Sequence, residues 1–306
     1  MSEYTDKTLS ARMLERQPEL SEEAAESSLL DRLKGTAKTV SVDGEDFYVV
    51  EGDLILDEDQ LMIYAINEER RRTEQAHGLA PGSLLAGVAN IGPDPVTGAL
   101  MGILSVGGKL VRWKADVTLT YSVLRDTFSS QERYELVREN MQEATEAWQR
   151  ICGVHFEHRA ELDESAGTQN PGVLFTVREF DASGQFIASA FFPTDPRNRR
   201  RVLIDRSYFA PDLGFDKVGV LRHELGHTLG FRHEHIRANA PAACPDEPLF
   251  TSGGRATPLT AYDPKSVMHY FCGGVGSREL ALTELDKLGA QKLYGPPVDQ
   301  FFFVEE

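Results

Sequence analysis

Three histidines and one glutamate lie close together in the sequence at spacings suited to binding a metal ion. His223 and His227 are four residues apart, so on a helix both imidazoles face the same side, with Glu224 beside them. Gly230 can adopt the positive φ that turns the chain out of a helix, which would return His233 to the same point. Three imidazoles leave one coordination position of a Zn²⁺ ion open, as in catalytic zinc sites. The spacing therefore predicts catalytic zinc, with Glu224 as general base.

A second segment downstream has the sequence YDPKSVMHY. Taken alone, Met268 would be an ordinary core methionine and Tyr270 a surface tyrosine. Their joint spacing after the histidine segment favours a role at the same site. Together the two segments resemble the metzincin clan of zinc endopeptidases, and within it most closely the astacin-like family. The residues that carry the resemblance are His223, Glu224, His227, Gly230, Phe231, His233, Glu234 and Arg237, followed by Ser266, Met268, His269 and Tyr270.

The resemblance implies roles for further residues of the two motifs. Met268 would form the apolar floor under the zinc ligands. Glu234 would help to organise the base of the site, often by meeting the new amino terminus after activation. Tyr270 would be a fifth zinc ligand that swings away to stabilise the tetrahedral oxyanion. The astacin signature usually continues with an aspartate and an arginine where this chain has Asn239 and Ala240, so we expect a divergent branch.

The fragment VEGD at residues 50–53 resembles the aspartate-switch motif of astacin propeptides, Phe-x-Gly-Asp, in which the carboxylate binds the zinc. Val50 stands at the phenylalanine position. A carboxylate oxygen is a good zinc ligand, and Gly52 allows close backbone approach, so Asp53 is a candidate latency ligand. The alternative is a plain turn between a strand and the following helix, because Gly-Asp is common turn chemistry.

The amino-terminal third of the chain is predicted to precede the catalytic domain. Alternation over 39–50 predicts a strand or hairpin, and 57–74 reads as a helix. Seven glycines over 81–108 indicate a flexible connector, in or near which activation cleavage would fall. We therefore divide the chain into a propeptide-like leader and glycine-rich connector, 1–109, and a zinc metalloprotease catalytic domain, 110–306.

The catalytic domain is expected to be α+β and metzincin-like, with a mixed twisted sheet, a long backing helix and an active-site helix. Ser129 and Glu132 have the spacing of a capping box before a helix with an apolar stripe. Asp216 is a candidate cap of the active-site helix. Thr283 and Asp286 are predicted to open a final helix.

Two further segments bear on substrate binding. Residues 186–192 could form the strand that borders the cleft, and in metzincins such an edge strand binds extended substrate by main-chain pairing. Its small residues at 188–190 would leave it accessible. Arg197 and the arginines at 199–201 predict an exposed loop. The alternative is that these arginines favour acidic substrate residues.

Composition limits the partners and the location. The 306 residues, 41% of them hydrophobic, suffice for one catalytic domain with an extension. A net charge of −16 argues against nucleic acid or an anionic membrane surface as partner, because both require clustered positive charge. No apolar run reaches membrane-spanning length. Residues 1–23 lack the apolar core of a secretory signal, whereas the resemblance implies secretion, so export and a cytoplasmic location both stay open.

The three cysteines cannot all pair within the chain. Cys244 and Cys272 flank the segment after the zinc motif, and both a bridge between them and free thiols stay open, because no oxidising compartment is established. Cys152 follows Trp148 and Ile151 at a predicted helix end and is expected to be a buried thiol.

These residues predict a zinc-dependent endopeptidase acting on a protein or peptide, in which Glu224 takes a proton from the zinc-activated water. An alternative is a zinc-stabilised module that holds a peptide without turnover. Glu224 argues against that alternative, because a binding module needs no base beside an open metal position. A third hypothesis is a zymogen kept silent by Asp53. No motif in the chain specifies a cleavage preference or an oligomeric state.

Overall fold

The structure, a computed structural model, describes residues 22–76, 100–103, 109–115, 117–164, 170–236 and 256–297. Over these residues the α-helices are α1 (Glu22–Thr36), α2 (Glu58–Ala76), α3 (Gln131–Ile151), α4 (Lys217–Thr228) and α5 (Glu284–Tyr294). The strands are β1 (Lys38–Val42), β2 (Glu45–Val50), β3 (Leu54–Leu56), β4 (Met101–Ile103), β5 (Thr118–Val123), β6 (His155–His158), β7 (Phe175–Phe180), β8 (Ala188–Ala190), β9 (Arg201–Asp205), β10 (Phe231–Arg232) and β11 (Ala256–Pro258). Short 3₁₀ turns span Arg125–Thr127, Ala160–Leu162, Arg197–Arg199 and Arg206–Phe209. None of the described helices is long and apolar enough to span a membrane.

Five strands form the main sheet in the order β6-β5-β7-β9-β8. The first four strands run parallel to one another, whereas the edge strand β8 runs antiparallel to β9. One face of the sheet packs against α3 and α4 in a core that includes the fully buried Trp148, Val177 and Leu225. Burying a side chain of this kind stabilises a fold by roughly 1.5–3 kcal/mol. The predicted α+β class, with a mixed sheet, a long backing helix and an active-site helix, is confirmed.

The backing helix α3 begins one residue later than predicted. Ser130 adopts the extended N-cap conformation, and its hydroxyl accepts a hydrogen bond from the Arg133 amide. The predicted capping box of Ser129 and Glu132 is therefore wrong. Ser129 instead donates through its amide and its hydroxyl to the Glu179 carboxylate, which ties it to the end of β7. Residues buried at helical spacing then follow at Tyr134, Val137, Met141, Ala144 and Trp148.

Helix α4, the predicted active-site helix, runs through the core and is buried along almost its whole length. Asp216 caps it as predicted, since its carboxylate accepts a hydrogen bond from the Gly219 amide at 2.6 Å. Gly226 permits close packing, because a Cβ at this position would lie 2.3 Å from the sulfur of Met268. Beyond the helix, Gly230 has a φ of 93° and leads directly into β10.

A second sheet has the order β10-β4-β11, with both outer strands antiparallel to β4. Strand β4 comes from the stretch predicted to be a glycine-rich connector. Leu100, just before it, is fully buried, and its carbonyl oxygen accepts a hydrogen bond from the Leu259 amide at 2.8 Å. Residues 100–103 therefore pack with the part of the chain predicted to be the catalytic domain, although the predicted boundary of that domain lies near Leu110.

The described part of the leader has two helices and an antiparallel sheet, β1-β2-β3. The predicted hairpin and the predicted helix after it are both present, as β1–β2 and α2. The hairpin packs on the face of the main sheet opposite α3 and α4, where Val42 and Phe47 meet Leu203. This follows from alternation along β9, because Leu203 points to the opposite face from Val202 and Ile204.

Two predictions about the surface of the catalytic part are wrong, because the leader covers it. The three residues of β8 are buried rather than accessible, and β3 of the leader lies beside this strand. The arginines predicted to form an exposed loop are covered in part. Arg201 is buried in β9, and Arg199 contacts Glu45 and Asp57 of the leader. The residues that cover these arginines are too distant in the chain for local patterns to reveal them.

Candidate metal centre

Helix α4 and the turn after it bring three histidine side chains to one point. His223 and His227 lie on consecutive turns of α4, and the turn at Gly230 returns His233 to them. The Nε2 atom of His233 is 3.1 Å from that of His227 and 3.2 Å from that of His223. All three imidazoles are buried. The structure thus brings together the three ligands proposed from the sequence.

The rings of His223 and His227 are each held by a backbone acceptor at the other nitrogen. Their Nδ1 atoms lie 2.7 and 2.8 Å from the carbonyl oxygens of Val267 and Phe231, respectively. A carbonyl oxygen can only accept, so the ring proton sits on Nδ1 and the lone pair of Nε2 faces the centre of the cluster. Acceptors of this kind orient the histidines of metal sites.

Asp53 of the leader lies at the fourth side of the cluster. Its carboxylate oxygens are 3.1 Å from Nε2 of His233, 3.3 Å from that of His223 and 3.8 Å from that of His227. Burial acts to raise the pKa of Asp53, but the charge of His233 and the polar contacts with the three histidines hold it well below its usual range. Burial acts to lower the pKa of His233, but Asp53 and Glu51 together raise it to about 10.

These donors fit a zinc ion. Tetrahedral zinc with Zn–N bonds of about 2.0–2.1 Å sets its nitrogen ligands about 3.3 Å apart. The Nε2 separations of 3.1 and 3.2 Å are close to that value, and one ligand atom from each of the four residues lies within 4.8 Å of the others. Oδ1 of Asp53 is buried and has no hydrogen-bond donor among the described residues. A cation at the centre would satisfy it, and three imidazoles with one carboxylate are ligand types that zinc accepts.

Glu224 extends from α4 into the same buried region. Glu224 is 2% exposed, and within the described part of the chain its Oε2 atom has no hydrogen-bond partner. Burial, together with the charge of Asp53, raises the pKa of Glu224 well above its usual value. A buried carboxylate with an unfilled acceptor position can take a proton from a group that enters the site.

The Met-turn lies under the cluster. Met268 is fully buried, and its sulfur faces Gly226 of α4. The Met268 carbonyl oxygen accepts a hydrogen bond from the Glu234 amide at 2.8 Å. Glu234 is itself buried, and its Oε1 atom accepts from the Asp263 amide at 3.1 Å. These contacts join the residue after His233 to the turn beneath it.

Asp286 links this turn to helix α5, a role that the sequence did not reveal. The predicted helix start at Thr283 and Asp286 is confirmed and forms a capping box, because the Asp286 carboxylate accepts from the Thr283 amide at 3.0 Å while the Thr283 hydroxyl accepts from the Asp286 amide at 3.1 Å. The same carboxylate accepts from the Ser266 hydroxyl at 2.6 Å and from the Val267 amide at 2.9 Å. Since the Val267 carbonyl holds His223, the cap of α5 supports one of the histidines.

Tyr270 lies beside the cluster with its hydroxyl engaged by the leader. The hydroxyl donates to the Glu51 carbonyl oxygen at 2.7 Å. The ring stacks on His235 with centroids 4.4 Å apart, and its centroid is 4.6 Å from that of His233. Gly52 is needed for this close approach, because its φ is 83° and a Cβ there would lie 2.8 Å from the tyrosine ring.

Sequence reasoning also gave no role to Glu51 and Arg232. The Glu51 carboxylate lies 3.1 Å from Nδ1 of His233 and forms an ion pair with Arg232. Burial acts to raise the pKa of Glu51, but Arg232 and His233 lower it. The signal that could have revealed Glu51 is an acidic residue between the apolar Val50 and a Gly-Asp pair.

The cysteines separate into two kinds. Cys152 is a buried free thiol, as predicted, and burial raises its pKa to about 12. Cys272 is disulfide-bonded. Cys244, one of the two cysteines for which both a bridge and free thiols were left open, lies outside the described residues, as do Arg237, Asn239 and Ala240 of the family signature.

Residues 112–240, which include the histidine cluster, match the matrixin family model. The predicted resemblance to the metzincins is confirmed. Among curated proteins, stromelysin-3 of Rattus norvegicus is 33% identical over 129 residues, which cover 40% of this chain and 25% of that protein. The dorsal-ventral patterning protein tolloid of Drosophila melanogaster is 33% identical over 72 residues, 18% of this chain and 6% of that protein. The chain thus spans about a quarter or less of the length of these relatives.

Two solved structures are also similar. Myroilysin is 17% identical, with a TM-score of 0.42 over 60% of this chain and 95% of that one. High choriolytic enzyme 1 of Oryzias latipes, a hatching-enzyme zinc protease, is 18% identical, with a TM-score of 0.36 over 60% of this chain and 94% of that one.

Proposed function

We propose that the protein is a zinc-dependent endopeptidase that hydrolyses peptide bonds in proteins. The observation that carries this proposal is the convergence of three histidine Nε2 atoms beside the buried carboxylate of Glu224. The match of residues 112–240 to the matrixin family supports it. The finer assignment to a divergent astacin-like branch rests on the two motifs.

His223, His227 and His233 would hold the Zn²⁺ ion, which when bound polarises the scissile carbonyl and acidifies water. Glu224 would accept the proton of the attacking water and deliver it to the leaving nitrogen. Burial and the charge of Asp53 raise the pKa of Glu224, so its carboxylate is a stronger base than an exposed glutamate. The Tyr270 hydroxyl, once released from the Glu51 carbonyl, would donate to the developing oxyanion.

Strand β8 would bind the substrate backbone. It is the edge strand of the main sheet, so one side of its backbone is free to pair with an extended peptide once β3 of the leader moves away. Phe192, just after β8, contacts the ring of His227 edge-on at 5.2 Å, which connects this strand to the cluster. The substrate class we propose is therefore an extended stretch of protein.

The leader would keep the enzyme latent. Asp53 occupies the side of the cluster that catalysis needs open, and Glu51 binds both His233 and Tyr270. Residues 1–109 would thus act as a propeptide with its connector, and 110–306 as the catalytic domain, with 100–103 packed against it. The disulfide at Cys272 favours an oxidising, extracellular location.

The first test replaces the proposed base. Glu224→Gln should retain zinc but lower peptide cleavage by about 100-fold or more, because general acid–base catalysis contributes on that order. Zinc content by mass spectrometry and cleavage of a mixed peptide library are the measurements, made on chains whose leader has been removed. Glu143→Gln, an exposed carboxylate on α3, is the matched control and should behave as wild type. Undiminished cleavage by Glu224→Gln would remove Glu224 from the role of base.

His227→Ala should lower both the zinc stoichiometry and the cleavage rate, because it deletes one of three convergent nitrogens. A full complement of zinc in this variant would contradict its assignment as a ligand. Wild-type protein that holds zinc but cleaves nothing after removal of the leader would instead favour the alternative function, a peptide-binding module without turnover.

The second test addresses latency. In the uncut chain, Asp53→Ala should raise peptide cleavage by about 10-fold or more over wild type, because it removes a ligand that stabilises only the closed state. Asp46→Ala, an exposed carboxylate of the same leader, should leave the uncut chain as silent as wild type. If the uncut Asp53→Ala and wild-type chains both fail to cleave peptides, and both are active after leader removal, Asp53 is excluded as the latency ligand.

A further inference from the structure

The leader touches the catalytic part at a second place, on the outer face of the main sheet. We name residues Lys38–Val50, which form β1 and β2, the anchor hairpin. Its apolar side chains form one cluster with Leu203 of β9 and with Ala182 and Phe186 of the loop between β7 and β8. Leu203 is fully buried and Ala182 is 1% exposed. This contact lies on the face opposite α3 and α4, so it differs from the contact that Asp53 makes with the histidines.

Phe47 is the centre of this contact. It is 2% exposed, and two guanidinium groups lie close to its ring. The Cζ atom of Arg199 is 5.4 Å from the ring centroid, and that of Arg201 is 5.2 Å from it. Cation–π contacts within about 6 Å are attractive, more so when desolvated. A buried aromatic side chain among arginines has the character of an interface hot spot.

Carboxylates of the leader neutralise the arginines around Phe47. The Asp43 carboxylate lies 2.7 Å from Arg178 and 3.8 Å from Arg201. Arg199 binds Glu45 at 3.1 Å and also pairs with Asp57, just after β3. Arg178 and Arg201 are both buried, so removing Asp43 would take away the carboxylate that pairs with both cations. The surface therefore recognises an acidic segment with an aromatic side chain.

We propose that this outer face of the main sheet is a docking surface for an acidic, aromatic β-hairpin, and that its partner is the anchor hairpin of this chain. The hairpin holds the leader independently of Asp53. A leader that has been cut from the rest of the chain on the amino-terminal side of β4 therefore stays bound without a covalent link. Release of Asp53 from the histidines is then a separate event from dissociation of the leader. Cutting removes only the high effective concentration that the linkage provides.

The test cuts the full chain and measures what stays together. A recognition sequence for a specific protease is inserted after residue 88, and complete cutting is verified on a denaturing gel. Native mass spectrometry and size-exclusion chromatography should show the leader fragment still bound to the rest of the protein. Phe47→Ala should weaken this binding by about 30-fold or more, the factor that corresponds to loss of one hot spot. Asp43→Asn should also weaken it. In the wild-type protein, binding of the leader fragment should weaken as salt is added, because salt screens ion pairs.

Two matched variants separate the anchor from other contacts. Asp46→Asn removes the same charge as Asp43→Asn from an exposed position of the same hairpin and should leave binding unchanged. Asp53→Ala should also leave the fragment bound, whether or not the protein cleaves peptides, so the result does not depend on the proposed activity. Separation of the wild-type fragment on cutting, or release by Asp53→Ala but not by Phe47→Ala, would overturn the proposal. If Phe47→Ala does not accumulate as folded protein, Asp43→Asn with Glu45→Gln decides the same question.

Discussion

At the scale of single residues, the leader alters the surroundings of groups in the catalytic part. Asp195, in the turn after β8, accepts hydrogen bonds from the Phe192 amide at 2.7 Å and from the side-chain amide of Gln60, in the leader, at 2.8 Å. Desolvation raises the pKa of Asp195 to about 6, despite these hydrogen bonds. An aspartate in an unfolded chain has a pKa of about 3.9. The folded state therefore favours the protonated form, and Asp195 costs stability as the pH rises from about 4 through 6.

This pKa shift predicts that replacing Asp195 with a neutral side chain stabilises the protein in a pH-dependent way. Asp195→Asn should stabilise the uncut protein at pH 7.5 by about 1–3 kcal/mol, since one pKa unit corresponds to about 1.4 kcal/mol. At pH 4 the gain should vanish, because wild-type Asp195 is then protonated. Thermal unfolding at both pH values is the measurement, with Asp212→Asn as an exposed control. Equal shifts in melting temperature at the two pH values would show that the carboxylate is not titrating as inferred.

At the scale of elements, the site depends on a connection between helix α5 and the Met-turn. Asp286→Ala would remove the acceptor of the Ser266 hydroxyl and the Val267 amide as well as the helix cap. We expect a loss of about 2–4 kcal/mol of stability, as for other buried polar networks. Zinc affinity should fall by about 10–100-fold, because Val267 holds the His223 ring.

The control for this prediction is Glu284→Ala, in the same first turn of α5, whose side chain is 92% exposed. It should change neither stability nor zinc affinity appreciably. Chelator competition and urea unfolding measure the two quantities separately. A destabilised Asp286→Ala protein with unchanged zinc affinity would show that the Met-turn does not position His223.

Local signals account for what the sequence predicted about these elements. The cap at Asp216, the helix start at Thr283 and the spacing of His223 and His227 each involve residues within a few positions of one another. The leader contacts were missed because their partners are distant. Arg199 pairs with a residue 142 positions away, and the Arg232 to Glu51 pair spans 181 positions. Periodicity and turn chemistry report only on short range, so such contacts are set by the tertiary fold.

At the scale of the whole molecule, the place where the chain is cut decides what remains folded. Strand β4 is the middle strand of its sheet and pairs with β10, which leads into His233. Leu100 fills the space above Gly289 of α5, where a Cβ on the glycine would lie 2.9 Å from the leucine side chain. Glycines before and after β4 made the whole stretch resemble a connector. Its burial shows that a cut after β4 would remove part of the core.

Two shortened chains test this boundary. A protein beginning at residue 98 keeps Leu100 and β4, whereas one beginning at residue 110, the boundary that the sequence predicted, lacks both. We expect the shorter protein to be less stable by about 2–5 kcal/mol, the range for emptying a buried leucine site, and to bind zinc more weakly because β10 has lost its neighbour. The longer protein carrying Leu100→Ala isolates the side chain from the strand pairing and should lie between the two in urea unfolding. Identical unfolding of the chains beginning at 98 and 110 would mean that β4 contributes nothing, and the boundary near Leu110 would then stand.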